Sequence, residues 1–229
     1  MLRKLMRLTL APALVAAVGA LAAMPAHAQS EQQQLVNNAE KTLSNFLRDP
    51  QMSWLQKNIG RSYGVLIAPE VVKAGFIFGG SGGRGVLVGR DNLTGKWHGP
   101  VFYTLATASV GFQAGIAASE NITLVMTQKG LNTLLAPSVK LGGDASVAAG
   151  PVGAGASSDV TTDFVAFARS KGVYGGVNLD GTVISVNNDW NTTYYGKSVL
   201  PPDVLVRGTV NNKGAARLLA DVARAAGSK

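Results

Sequence analysis

The chain of 229 residues carries 21 Lys and Arg against 13 Asp and Glu, 28 glycines and no cysteine. The lack of cysteine excludes a disulfide scaffold, a thiolate zinc site, a cysteine nucleophile and a lipidated cysteine, and two histidines are too few for a histidine-rich metal site. Hydrophobic residues at 46% against 15% charged place the bulk of the chain among globular rather than disordered sequences.

Residues 1–28 read as an address. Arg3, Lys4 and Arg7 precede an apolar stretch over 8–23, which is followed by Ala26-His27-Ala28, a small-x-small cleavage sequence. These are the three parts of a bacterial secretory signal, with cleavage expected after Ala28. The apolar stretch is short and interrupted by Pro12. No later run approaches the ~18 residues of a membrane helix. The expectation is a signal peptide at 1–28 and a single domain at 29–229, periplasmic or exported, with peripheral membrane association.

Residues 29–47 have Leu35, Val36, Ala39, Leu43, Phe46 and Leu47 at helical spacing, with Ser30 as cap and Asp49-Pro50 as stop. A second, short helix is expected over 52–58, closed by Gly60. From Tyr63 the pattern becomes short apolar runs between Gly, Pro, Asn and Asp, predicting strands near 65–67, 76–78, 86–88, 101–105, 110–116 and 122–126. A helix is expected over 129–135 and a loop over 145–159. Asp180-Gly181 suits a tight turn, predicting a hairpin between 173–179 and 182–186. The last helix should span 213–226, with Asn211 or Asn212 as cap. The glycines cluster at 75–89, 142–155 and 172–181, interleaved with apolar residues. That placement predicts strand bends and close backbone approach, as in a strongly curved sheet or small barrel.

Gly80 to Gly85 formally matches G-x-G-x-x-G, but Val86-Leu87-Val88 follows it. The dinucleotide fingerprint needs a helix there, so the glycines read as structural. A Ser-His-Asp triad would have to use His98, the histidine left in 29–229, and no G-x-S-x-G elbow exists. His98 reads as a packed or exposed turn residue. Carboxylates are scattered, with no calcium loop. No catalytic residue, metal or cofactor is assigned.

Basic residues gather in the glycine-rich segment as Lys73, Arg84, Arg90 and Lys96, with Lys140, Arg169 and Lys171 further on. A face built from them would attract anionic headgroups at about 1 kcal/mol per charge, and ordinary solubilising charge is the competing reading. Nucleic acid fits poorly with export and a modest net charge.

Several blocks together resemble a known family. They include Ser62-Tyr63-Gly64-Val65-Leu66-Ile67-Ala68-Pro69, Lys73-Ala74-Gly75-Phe76, Gly85-Val86-Leu87-Val88, and Trp97 with Gly99-Pro100. Later blocks include Gly111-Phe112-Gln113-Ala114-Gly115, Leu141-Gly142-Gly143-Asp144, Ser170-Lys171-Gly172-Val173 and Leu179-Asp180-Gly181-Thr182. Their order resembles the SYLF domain, also called the Ysc84 actin-binding or DUF500 family, over roughly residues 35–208. The resemblance implies a lipid-binding module, with Lys73 and Lys171 at family positions. Actin is not expected as a partner of an exported chain.

The expected fold is α+β, a curved, barrel-like, mainly antiparallel glycine-rich sheet packed by N-terminal and C-terminal helices. The expected function is a non-enzymatic periplasmic lipid-binding protein recognising anionic phospholipid headgroups or membrane surfaces through Lys73, Arg84, Arg90, Lys96 and Lys171. The alternative is a structural or scaffolding envelope protein that binds another protein through its glycine-rich sheet. An outer-membrane barrel is disfavoured, because the expected strands are short and the chain ends in a helix.

Overall fold

The computed structural model describes residues 29–75, 78–110, 115–153, 161–170 and 172–227. The expected signal at 1–28, residues 76–77 and 111–114 of two expected strands, residues 154–160 of the expected loop, and Lys171 lie outside the described residues.

Helix α1 spans Glu31–Arg48, and Ser30 caps it by accepting a hydrogen bond from the Gln33 amide at 3.3 Å. Asp49 turns extended and Pro50 follows, which ends the helix. Val36, Ala39, Leu43 and Phe46 point inward from α1, the two largest contributing about 2–3 kcal/mol each. A 3₁₀ turn at Pro50–Met52 leads into α2, Ser53–Asn58, and a second turn follows at Ile59–Arg61.

Four long strands come next: β1 Gly64–Gly75, β2 Phe78–Arg90, β3 Trp97–Val110 and β4 Gly115–Val125. The sequence suggested shorter strands, because Gly and Pro interrupt the apolar runs. The ladders run through those positions instead. Glycine keeps both backbone hydrogen-bonding groups, so antiparallel pairing satisfies it like any other residue. Pro69 falls where the register shifts against both neighbouring strands, and a missing N–H costs little at such a bulge.

The remainder is α3 Gln128–Leu134, β5 Ser138–Lys140, β6 Val147–Ala149, β7 Phe164–Ser170, β8 Val173–Gly176, β9 Val183–Val186, α4 Asn188–Tyr195, α5 Pro201–Leu205 and α6 Ala216–Gly227. A 3₁₀ turn at Lys213–Ala215 precedes α6, and Asn212 caps that turn by accepting from the Gly214 amide at 2.8 Å. The sheet order is β5-β9-β3-β2-β1-β4-β7-β6, with β8 also on β7. Every pairing is antiparallel except β6 with β7. The α+β fold with a curled sheet and flanking terminal helices is as the sequence implied.

Three local expectations change. The 145–159 stretch contains strand β6, because its small residues pair in parallel with the start of β7. Asp180-Gly181 does make a tight turn, with the Thr182 amide donating to the Leu179 carbonyl at 3.0 Å and Gly181 at φ 78°. It is not a hairpin, since β8 pairs with β7 while β9 pairs with β3 and β5. His98 lies on β3 opposite Gly89, not in a turn. Helices α4 and α5 were not read from the sequence at all.

Glycine explains the curl. A Cβ on Gly83 would stand 2.4 Å from the Glu70 carbonyl oxygen, and one on Gly85 would meet the Ile67 oxygen at 3.0 Å. Both point to the same side of β2, so that side is the inside of the bend. The sheet therefore forms a half-barrel with a core on each side. On the outer side Val65, Ile67, Val86, Val88, Phe102, Ile122 and Phe167 pack under α1, α2 and α6. In the hollow Leu66, Leu87, Tyr103, Val125, Phe164 and Ile184 pack against Leu131 and Leu134 of α3 and Val204 and Leu205 of α5.

Candidate functional site

Both cores occupy the half of the four long strands next to the helices. Beyond it the strands continue with little cover. Alternation places Arg84, Gly82 and Gly80 of β2 on the outer side, in register with Thr104, Ala106 and Ala108 of β3. On β1 and β4 the same side carries Glu70, Val72 and Ala74 beside Glu120, Ala118 and Ile116.

Two zones result. A charged row crosses the sheet, formed by the Arg169–Glu120 ion pair, Glu70 opposite Arg84, then Thr104. The Thr42 hydroxyl of α1 donates to Glu120 at 3.0 Å, so the row marks the edge of the helical layer. Beyond the row, as far as residue 78, β2 runs six residues, about 20 Å. The outer surface there is smooth. Val72, Ile116 and Val183 are 39%, 80% and 37% exposed, set among exposed Ala74, Gly82, Ala106, Ala108 and Ala118. Four strands at ~4.8 Å spacing give a patch on the order of 300 Å².

The basic residues singled out in the sequence do not gather. Lys73 lies on the hollow side of β1, in register with Ser81. Arg84 lies on the outer side, its guanidinium 4.5 Å from the centre of the Trp190 ring, a cation–π contact. Arg90 donates to the Gly60 carbonyl at 2.7 Å, at the opposite end of the strands, and exposed Lys96 sits in the adjoining β2–β3 turn. Ser81, the partner of Lys73, is nine residues from Arg90 along β2, about 30 Å. Lys171 lies outside the described residues. Sequence reasoning missed Val72, Ile116 and Val183. The signal for them was available as large apolar residues alternating with Gly and Ala in strands too rich in small residues to be fully covered.

The strongest electrostatic feature is structural. Asp163 is buried, which opposes ionisation. Hydrogen bonds from Thr127 at 2.5 Å and from the Ser146 amide and hydroxyl, with Lys129 at 3.4 Å, outweigh that and hold its carboxyl at about 2. It ties the start of α3 to the segment before β6. Burial pushes the Tyr194 hydroxyl up to about 12 and that of Tyr195 higher still. The Tyr195 hydroxyl donates to the Pro100 carbonyl at 2.7 Å. His98 lies against Gly208, where an added Cβ would come within 2.6 Å of its ring. Among the described residues no three His, Cys, Asp or Glu side chains cluster as a metal site, and no helix is long and apolar enough to cross a membrane.

Residues 106–226 match a family model described as Ysc84, Las17-binding protein actin regulator. The "LAS seventeen-binding protein 3" of Saccharomyces cerevisiae (strain YJM789) is 31% identical over 170 residues, 69% of this chain and 37% of that protein. "Protein YSC84" of S. cerevisiae (strain ATCC 204508 / S288c) is 30% identical over 170 residues, 69% of this chain and 36% of its own length. "SH3 domain-containing YSC84-like protein 1" of Homo sapiens is 28% identical over 156 residues, covering 66% and 45%. The chain thus spans less than half the length of these relatives. No solved structure matches it.

These names correct the partner expected from the sequence. One of these relatives is named for binding LAS seventeen and another for containing an SH3 domain, and the family description is of a Las17-binding actin regulator, so they point to protein partners and not to an anionic phospholipid or membrane surface. The physical reason lies in the placement of the cations. The lipid reading needed one cationic face, whereas Lys73, Arg84 and Arg90 lie on different sides or ends of the sheet.

Proposed function

The chain belongs to the Ysc84 family, and from that premise we propose that it is a non-enzymatic binding protein that docks another protein on the outer face of its glycine-rich sheet. The observation that carries this reading is the uncovered apolar patch around Val72, Ile116 and Val183, beyond the charged row. Small residues leave its backbone flat and close to any visitor, and there are few long side chains to immobilise on contact. A patch on the order of 300 Å² is well under the ~800 Å² per partner of a standard stable interface, so the complex is transient or recruits neighbouring surface. The printed name of the "LAS seventeen-binding protein 3" relative, which refers to binding, supports the same class of partner. Export through residues 1–28 remains part of the proposal, resting on Arg3, Lys4, Arg7 and Ala26-His27-Ala28.

A photo-crosslinking residue at Ala106, on the patch, tests the reading in the native cell. A discrete protein adduct is expected from Ala106. None is expected from Leu93, which is 98% exposed in the β2–β3 turn at the far end of the strands. The Val72→Glu/Ile116→Glu double variant should lose that adduct with its thermal midpoint unchanged. Equal labelling from both positions, or an adduct that survives the double variant, overturns it.

A further inference from the structure

The ladder between β4 and β7 ends at Glu120 opposite Arg169. Residues 115–119 of β4 therefore pair with β1 on one side and, among the described residues, with no strand on the other. The hydrogen bonds at the end of β4 show which way its backbone faces. The Val125 carbonyl accepts from the Tyr63 amide on the β1 side at 2.8 Å, and the Met126 amide donates to the Asp163 carbonyl on the β7 side at 2.8 Å. Backbone polar groups alternate between the two sides of an antiparallel strand, so the even-numbered residues of β4 face β7. The Ser170 hydroxyl of β7 agrees, donating to the Ala118 carbonyl at 3.1 Å. Ile116 and Ala118 thus each turn an N–H and a C=O toward the open margin. Apart from that serine, no hydrogen bond from a described residue meets them there.

Sheets blunt their margins with charge, proline, a bulge or brevity. Residues 115–119 are Gly, Ile, Ala, Ala and Ser, with neither charge nor proline. Ile116, Ala117 and Ala118 are all exposed, so both faces of this stretch are clear. The margin of β3 differs, because the segment 177–182 lies beside it and the Thr107 and Thr182 hydroxyls bond at 2.8 Å. At Ser119 the β4 margin opens into a groove of about 650 Å³ between α1 and the sheet, lined by Asn38, Lys41 and Asn45. A backbone running along the margin has room to continue there.

We propose that the partner protein docks by adding an extended segment as a strand beside residues 115–119 of β4. This rests on the docking reading above and names the form that the contact takes. The free backbone groups of Ile116 and Ala118 recognise main chain, over a stretch of about 17 Å. Alternation sets every second side chain of the segment beside Ile116 on the outer face, which selects small or β-branched apolar residues at those positions. The added strand widens a patch that alone is too small for a stable interface. A second copy fits less well. Its own β4 begins at Gly115 and would stop at the margin, whereas a flexible segment continues into the groove.

Photo-crosslinking from Ala106 in the native cell tests this with the variant Ala118→Pro. Proline removes the outward N–H of residue 118 and no bond to β1, a position where edge strands accept it. The Ala106 adduct should fall at least about tenfold with the thermal midpoint unchanged. In the purified adduct of the parent, the Ile116 and Ala118 amides should exchange hydrogen at least about tenfold more slowly than in the free protein, a readout that holds if the proline variant fails to fold. An adduct undiminished by Ala118→Pro but lost in Val72→Glu/Ile116→Glu overturns strand addition and leaves docking on the face standing, as do unchanged exchange rates. An adduct of twice the chain's own mass marks a second copy and overturns the assignment to another protein. Absence of any adduct from Ala106 in the parent overturns docking on the face, and strand addition with it.

Discussion

The four long strands are one continuous ladder, yet their two halves obey different rules. Near the helices each outer-side residue is large and buried, as with Phe102, Val86 and Ile67 under α1, α2 and α6. Past the charged row of Arg84, Glu70 and Glu120 the same positions carry Gly82, Ala106 and Ala118 and face solvent. Backbone pairing is unbroken between Glu70 and Gly75, so hydrogen bonding does not distinguish the halves. What distinguishes them is the apolar area removed from water, which is the main source of stability. The near half holds the fold together, and the far half is carried by it and left free for contact.

The sharpest way to break that division is to truncate one large side chain in each half. Phe167→Ala removes a fully buried ring that lies 5.9 Å from Trp54, and should cost about 3–5 kcal/mol in urea unfolding. Ile116→Ser in the far half should move stability by about 0.5 kcal/mol or less. Similar losses from the two would erase the distinction.

Adjacent glycines sharpen the comparison across the thickness of the sheet. Gly83→Ala drives a methyl into the Glu70 carbonyl at 2.4 Å and should destabilise by about 1–3 kcal/mol. Gly82→Ala meets its nearest neighbour, the Leu105 oxygen, at an ordinary 3.7 Å, and should stay within about 0.5 kcal/mol. Denaturant midpoints of the pair report the difference directly.

Acid probes the covered half through Asp163. Its carboxyl sits at about 2 in the folded protein against an unfolded value of 3.8. The folded state thus holds its proton less tightly, and the stabilisation is complete above the unfolded value. It is lost as pH falls from about 4 to about 2 and amounts to on the order of 2 kcal/mol. Asp163→Asn should therefore be the less stable protein at pH 7 and should converge with the parent near pH 2. A constant gap down to pH 2 would remove this carboxylate from the account.

How far the sequence could be read follows from the same division. Helices α1 and α6 were legible because one apolar stripe decides each of them, with caps at Ser30 and Asn212. The curl was legible because glycines such as Gly83 and Gly85 alternate with large apolar residues. The lengths of β1 to β4 were not, since strand continuity through Gly and Pro depends on neighbours distant in sequence. Strand β6 and the partners of β8 and β9 were missed for the same reason, pairing being settled by tertiary context. Helices α4 and α5, eight and five residues long, are too short for periodicity to register. At the site, a run of basic residues in sequence suggested one face, but alternation and nine residues of strand separate Lys73 from Arg84 and Arg90.

The ends of the strand order have a bearing on how the molecule behaves in a crowd. A half-barrel is not closed, so it has two selvedges where a stranger's backbone could be stitched on. At the two ends of the strand order those borders fall to β5 and β6, each three residues long, with β8 adding four beside β6, and borders that brief offer too few rungs for another copy to zip alongside. The longer open margins lie past the charged row, at residues 107–110 of β3 and 115–119 of β4, which β9 and β7 do not reach. A foreign backbone would thus find its rungs beside the flat plate and not at the ends of the order.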